Sequence, residues 1–508
     1  MIELTLQEIA DITGGRLDHV EDPQAKVTGF VEFDSRKVAP GGLFLAFPGA
    51  RVDGHDFAEK AIAQGAVAVL GARPVGVPAI VVEPHGRKQG DGANADIYAH
   101  DEDGSAAAVV EALSALARAV TRRLQAETGL TIVGITGSAG KTSTKDLIAT
   151  VLRADGPTVA PPGSFNNEIG HPYTALRCDP QTQYLVAEMS ARGIGHIAHL
   201  ATIAAPKIGV VLNVGTAHLG EFGSRENIAK AKGELVESLP AAADGGVAVL
   251  NADDDFVAGM APRTQARVVT YSAATPPAPG ADYVATDIVL DDIARPTFTL
   301  HAPGAEPRRI TLQVFGRHQV SNALATVAAA QAASMEIEDI ACALEGHRNA
   351  SAHRMDVRTR ADGVTIIDDA YNANPDSMSA AIAALGYTTA SRPDARSIAV
   401  LGEMGELGEE AEAAHQGIVS DLAKYHIDHL VVVGESANCR AMADAAREQG
   451  INTTVVGEID EAITVVDAIL RRTPQGAVDW AARTAKDVVL AKASNAQALW
   501  RVAHGLLA

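Results

Sequence analysis

The sequence predicts an α/β protein of three domains: a small α/β N-terminal domain, a central parallel-sheet domain, and a C-terminal doubly wound, Rossmann-like domain. Three observations predict it. The 508 residues accommodate about three domains of ordinary size. Short apolar runs alternate with stretches of helical period, the pattern of buried parallel strands separated by helices. An apolar strand at 131–136 runs straight into a glycine-rich turn, Gly137-Ser138-Ala139-Gly140-Lys141-Thr142-Ser143, as in a strand-loop-helix phosphate-binding unit.

In chain order, residues 1–111 form the first domain, with strands expected at 42–47 and 66–70. Residues 85–105 are rich in Gly, Asp and His without apolar periodicity, and read as an inserted surface loop. Apolar residues at helical spacing over 106–124 then lead through Thr128-Gly129 into the glycine-rich unit, with the domain boundary placed at 112. The middle domain, 112–334, carries buried strands at 184–187, 208–212 and 247–250 and short strands with polar turns over 283–314. It ends in an alanine-rich helix at 321–333, capped within 318–321. In the last domain, 335–508, strands fall at 364–367, 397–401, 430–433, 453–456 and 487–490, as a doubly wound sheet requires. No internal repeat is evident.

Composition excludes several classes. A net charge of −21 argues against nonspecific nucleic-acid binding, which needs a basic face. No cationic-then-apolar N-terminus and no uncharged apolar run of about 18 residues occurs, so neither secretion nor membrane insertion is expected and the cytoplasm is the default. Cys178, Cys342 and Cys439 lie far apart without a C-x-x-C pair, which points to buried thiols rather than disulfides or a zinc site.

The glycine-rich turn carries the first chemistry. Its glycines let backbone N–H groups converge on phosphate oxygens, Lys141 adds a point charge, and the Thr142 hydroxyl suits a magnesium ion, so the middle domain reads as P-loop ATPase-like. Ile135 stands where the general motif has its first glycine, leaving the shortened form Gly137-x-x-Gly140-Lys141-Thr142. Functional groups of a parallel sheet gather where strands end. Glu188, the first polar residue after 184–187, is a candidate magnesium ligand, with a strand-end salt bridge as the alternative. His218 lies beyond the next strand end and reads as a ligand or as a structural hydrogen-bonding group. Lys232, in a helical segment, by itself reads as a solvated lysine. Further along come Asn322, Arg354 and the run Asp368-Asp369-Ala370-Tyr371-Asn372-Ala373-Asn374-Pro375-Asp376-Ser377, whose bland alternative is an Asx-rich turn.

As an ordered set these pieces resemble the Mur ligases, ATP-dependent amide-forming enzymes of peptidoglycan precursor synthesis. The resemblance spans nearly the whole chain: Asp34-Ser35-Arg36-Lys37-Val38, Asp53-Gly54-His55-Asp56-Phe57, the phosphate loop, Asn166-Asn167-Glu168-Ile169-Gly170, Glu188-Met189-Ser190, the His218 and Lys232 segments, and Tyr371-Asn372-Ala373-Asn374-Pro375. The run Val400-Leu401-Gly402-Glu403-Met404-Gly405-Glu406-Leu407-Gly408-Glu409-Glu410 is the most specific within the family and indicates D-alanyl-D-alanine as the amine that is added. The absence of an Asp-Asn-Pro-Arg run points away from the diaminopimelate-adding relatives. Lys492-Ala493-Ser494-Asn495 stands where the family usually has Lys-Gly-Ser-Arg.

The resemblance implies a UDP-binding first domain, an ATP-binding middle domain, and a last domain that closes over both. It implies UDP-N-acetylmuramoyl-tripeptide and D-alanyl-D-alanine as substrates, an acyl-phosphate intermediate, and a monomer. Two magnesium ions are implied, one on Thr142 and Glu188, the other at His218 and Lys232. An ammonium cannot ligate a cation, so a CO2-derived carbamate on Lys232 is implied as well. Lys141 and the loop would hold the phosphates, with Asn322, Arg354 and Asp369 also on the nucleotide, while Ser35, Arg36, Asn167, Arg192, Asn372 and Asn374 would face the other substrates. A folylpolyglutamate synthase is the competing enzyme reading, disfavoured by the Asp34-Ser35-Arg36 unit. A catalytically silent nucleotide-binding protein is the competing non-enzyme reading.

Overall fold

Thr131–Thr136 lies at the reversal point of a nine-stranded sheet, and that placement decides where the site can form. In the computed structural model, which describes residues 1–49, 52–85, 101–216, 219–471 and 486–508, the chain leaves this strand for Thr158–Val159 at the sheet edge. It returns as Tyr184–Glu188 on one flank and then crosses to Ile208–Val211 on the other. All four strands are parallel, so a crevice opens at their carboxyl ends, the usual ligand position of such sheets. Val247–Asn251 and Arg267–Ser272 continue the parallel part. Tyr283–Leu290 joins it in parallel and starts an antiparallel extension with Pro296–His301 and Arg308–Thr311.

The first domain has a five-stranded sheet ordered Arg16–Asp18, Ala79–Val81, Ala68–Gly71, Leu43–Leu45, Val31–Glu32, parallel except for its first pair. The 24-residue helix Ser105–Thr128 then runs unbroken through residue 112, where the boundary was expected. Apolar residues occupy one face along its length, so a single core extends from Leu6 and Ile9 through Val109, Leu116 and Val120 to Ile132 and Leu185. Of the expected surface insertion, residues 86–100 lie outside the described part. Its end is structural: Asp101 is buried and accepts hydrogen bonds from the Ala106 and Ala107 amides at 2.8 and 2.9 Å, capping that helix.

In the last domain the order is Asp356–Thr359, Thr365–Asp368, Val488–Lys492, Ser397–Leu401, His429–Val433, Asn452–Val456, antiparallel only at the first pair. The last strand of the chain is thus inserted between the second and third of this domain. The alanine-rich helix begins at His318, at the start of the expected cap. Cys178 and Cys439 are buried as expected, but Cys342 is exposed. Helix Ile337–Gly346 turns Ile340, Ala341 and Leu344 inward, and its period leaves position 342 on the solvent side. No described helix is long and apolar enough to cross a membrane.

Candidate active site

Gly140 has φ +83°, and a Cβ there would stand 2.9 Å from Oδ1 of Asn322, so a side chain is excluded twice over. Helix Lys141–Asp155 starts directly after it, directing its free N–H groups and dipole at the loop. Asn213 braces the loop: its Oδ1 accepts from the Ser138 and Ala139 amides at 2.9 and 2.8 Å, and its Nδ2 donates to the Ala139 carbonyl at 3.0 Å. Lys141 Nζ folds back onto the Gly137 carbonyl at 2.6 Å. Desolvation lowers the Lys141 pKa, opposed by the Glu188 carboxylate.

Glu188 ends the neighbouring strand and is buried. The Thr142 hydroxyl donates to its Oε2 at 3.0 Å and Asn166 Nδ2 to its Oε1 at 2.7 Å. Those side-chain partners are neutral, so the buried carboxylate is hydrogen-bonded but not charge-compensated by them. Two hard oxygen donors in that setting fit a magnesium ion. From the last domain, Arg354 crosses the crevice and donates through Nη2 to the Thr142 hydroxyl at 3.3 Å, its guanidinium 4.1 Å from the Tyr371 ring centroid. Arg354 Nε is buried with no partner among the described residues, a donor available to a phosphate. Ser143 lines a small cleft beside Asp146, Gln319, His347 and Arg354.

Lys232 is the chief surprise. Helix Arg225–Glu237 buries it to 4% exposure instead of presenting it to solvent. Burial lowers its pKa well below the ordinary value, and the nearby Lys141 charge lowers it further. A neutral amine is the nucleophilic form that captures carbon dioxide, so the setting fits a carbamate. His218 lies outside the described residues.

Asp369 is taken up by the protein itself, accepting from Lys492 Nζ at 2.6 Å and from the Met355 amide at 3.0 Å. Lys492 also donates to the Asn372 carbonyl at 2.9 Å. Asn374 caps helix Pro375–Ala390 through a capping box with Ser377, which occupies its side-chain oxygen. The side-chain oxygen of Asn372 accepts from the Ala373 amide at 2.9 Å. Asn167 orders its own turn by accepting from the Gly170 amide at 2.9 Å, while its neighbour Asn166 reaches Glu188. Ser35 and Arg36 line a cavity of about 670 Å³ in the first domain with Phe33, Phe47, Phe57 and Lys60. Arg36 is held by Asp34 through two bonds of 2.9 Å, which lowers the Asp34 pKa to about 2.

The middle and last domains meet around the crevice. Arg192 pairs with Glu406 at 2.7 Å, Ser351 Oγ donates to Asp146 at 2.6 Å, and Asp376 accepts from the Thr216 amide at 3.2 Å. Gly220 and Gly408 touch backbone to backbone, where a Cβ on Gly220 would come within 2.7 Å of Gly408 Cα. The sequence reading missed Asn213 and Lys492. Both lie at strand carboxyl ends, the position that singled out Glu188.

These features define a class, and the chain belongs to the Mur ligase family. It matches the Mur ligase family catalytic domain over residues 28–121, the Mur ligase middle domain over 135–330 and the Mur ligase glutamate ligase domain over 353–495. A Mycobacterium tuberculosis protein named UDP-N-acetylmuramoyl-tripeptide–D-alanyl-D-alanine ligase is 51% identical, covering 100% of this chain and 98% of its own length. The Escherichia coli protein of the same name is 32% identical over 90% of this chain and 91% of its own. Among solved structures, MurF from Acinetobacter baumannii superposes with a TM-score of 0.80 at 29% identity, covering 99% of both chains. MurF ligase from Thermotoga maritima in complex with ADP gives 0.73 at 27% identity, covering 94% of this chain and 97% of that one.

Proposed function

We propose that this chain is an ATP-dependent amide ligase that joins D-alanyl-D-alanine to UDP-N-acetylmuramoyl-tripeptide in peptidoglycan precursor synthesis, releasing ADP and phosphate. The observation that carries the reading is the reach of Arg354, from the last domain, to the Thr142 hydroxyl that also meets Glu188. Such a site is complete only when the domains close, as expected of an enzyme that shields a water-sensitive intermediate. The division of labour follows the three segments 1–111, 112–334 and 335–508. The aromatic and cationic cavity around Ser35 and Arg36 suits a uridine ring and a diphosphate.

In the reaction, Lys141 and the loop amides hold the ATP phosphates, and the unpartnered Nε of Arg354 adds a charge-assisted donor. The terminal tripeptide carboxylate attacks the γ-phosphorus, the bond to the β-phosphate oxygen breaks, and ADP leaves. The dipeptide amine then attacks the acyl carbon of the acyl phosphate, expels phosphate and gives up a proton. Thr142 and Glu188 would hold one magnesium ion, and His218 with a carbamylated Lys232 a second; bound there, the ions would offset the repulsion between carboxylate and phosphate. The contacts Arg192–Glu406 and Gly220–Gly408 keep water from the crevice.

The test is phosphate release. Turnover of ATP is expected only when both the UDP-tripeptide and D-alanyl-D-alanine are present; turnover with glutamate and a folate instead would overturn the reading. For the carbamate, carbon-13 NMR in labelled bicarbonate is expected to show a carbamate signal that Lys232→Ala abolishes.

A further inference from the structure

The turn that presents Arg354 carries a second cluster that the ligase chemistry leaves unused. His353 has φ +58°, in the left-handed region that a non-glycine residue adopts at a cost. Its Nδ1 stands 2.7 Å from Oδ2 of Asp368, the last residue of strand Thr365–Asp368. Nε2 of His504, on the C-terminal helix Trp500–Leu507, lies 4.0 Å from the same oxygen. The three candidate donor atoms fall within 4.8 Å of one another. Trp500 stacks on the His353 ring at 5.1 Å and meets the His504 ring edge-on at 5.3 Å, restricting both imidazoles. The Asp368 side chain is 3% exposed and that of His504 48%, giving a buried floor and an open mouth.

We propose that His353, Asp368 and His504 form a binding site for a divalent transition-metal ion of the zinc type, with solvent completing the coordination. Two imidazoles and one carboxylate are a donor set that favours zinc, nickel or copper over magnesium. Bonds of about 2.0–2.1 Å put the ligand atoms of a tetrahedral site roughly 3.3 Å apart. The contacts of 2.7 and 4.0 Å straddle that value, so a bound ion asks each imidazole to move by less than about 1 Å. The site is separate from Thr142 and Glu188, which offer oxygen donors alone, and it does not depend on the ligase reading. Its occupancy would tie the C-terminal helix to the turn that carries Arg354.

The experiment uses chelator-treated full-length protein in excess magnesium, titrated with cobalt as a spectroscopic substitute for zinc. Expected are one bound equivalent, visible ligand-field absorption displaced by zinc, and an affinity at least about ten-fold weaker in both His504→Ala and His504→Gln. Added zinc is expected to raise the unfolding midpoint of the wild type but not of either variant. ATP-dependent phosphate release by the variants, expected unchanged, checks that they fold. Equal cobalt affinity in wild type and variants, or no cobalt bound by the wild type, overturns the proposal.

Discussion

Lys232 and Lys492 are buried in the two domains that meet at the crevice, and they differ in what surrounds their charge. Lys492 sits 2.6 Å from the Asp369 carboxylate with two backbone carbonyls taking its other protons. Lys232 has Lys141 as its charged neighbour. Burial lowers both pKa values, but Asp369 opposes the shift at Lys492 whereas Lys141 reinforces it at Lys232. The first arrangement is a structural ion pair that locks the Asp369–Asn374 turn to the central strand Val488–Lys492. In the second, burial and a neighbouring like charge both disfavour the ammonium form, the kind of setting in which lysines are retained for reactivity.

The largest effect that can break this contrast is on catalysis. Lys232→Ala is expected to lose at least about a thousand-fold in turnover, or about 4 kcal/mol, without rescue by bicarbonate and with partial rescue by a short-chain acid. Full phosphate release by the variant would remove the ligand role. Stability separates the pair next. Lys492→Met strands the Asp369 carboxylate and should cost about 3–5 kcal/mol in denaturant unfolding, whereas Lys232→Met, which strands no carboxylate among the described residues, should be neutral or stabilising. Equal costs would mean that the two burials are alike.

Acid extends the contrast to another buried base, His171, whose ring meets the Leu200 carbonyl at 3.1 Å. Burial lowers the His171 pKa to about 4, while the unfolded imidazole titrates near 6.5. Below pH 6.5 the unfolded state therefore binds more protons, and stability falls with pH until about 4, by up to about 3 kcal/mol. His171→Gln should flatten that slope in unfolding curves taken across the window. The smallest effect belongs to the partly exposed pair Arg192–Glu406. Arg192→Ala should cost at most about 1 kcal/mol, read as a rise in the KM for ATP of less than about five-fold. A collapse of kcat would instead give Arg192 a direct role in the chemistry.

Much of this was legible beforehand because it is local. Each strand named from an apolar run is present, and the rule that chemistry gathers at strand ends found Glu188 and, applied throughout, would have found Asn213 and Lys492. The rule could not say which strand ends share an edge. Lys492 meets Asp369 because Val488–Lys492 pairs with Thr365–Asp368 across a separation of more than a hundred residues. Helix Ser105–Thr128 runs through the boundary expected at 112 for a related reason: a helix that serves two domains carries the same amphipathic pattern as a helix that serves one.

The sequence by itself determined the alternation of strands and helices, the shortened phosphate loop and the family, since each is written in neighbouring residues and their order. Only the tertiary structure decided the states of the charged groups. A lysine reads alike whether it meets solvent, a carboxylate or another lysine, and its pKa follows from desolvation and from charges brought near by the fold. Lys232, which by itself reads as a solvated helix lysine, is for that reason a buried amine whose pKa lies well below the ordinary value, near Lys141 of the phosphate loop.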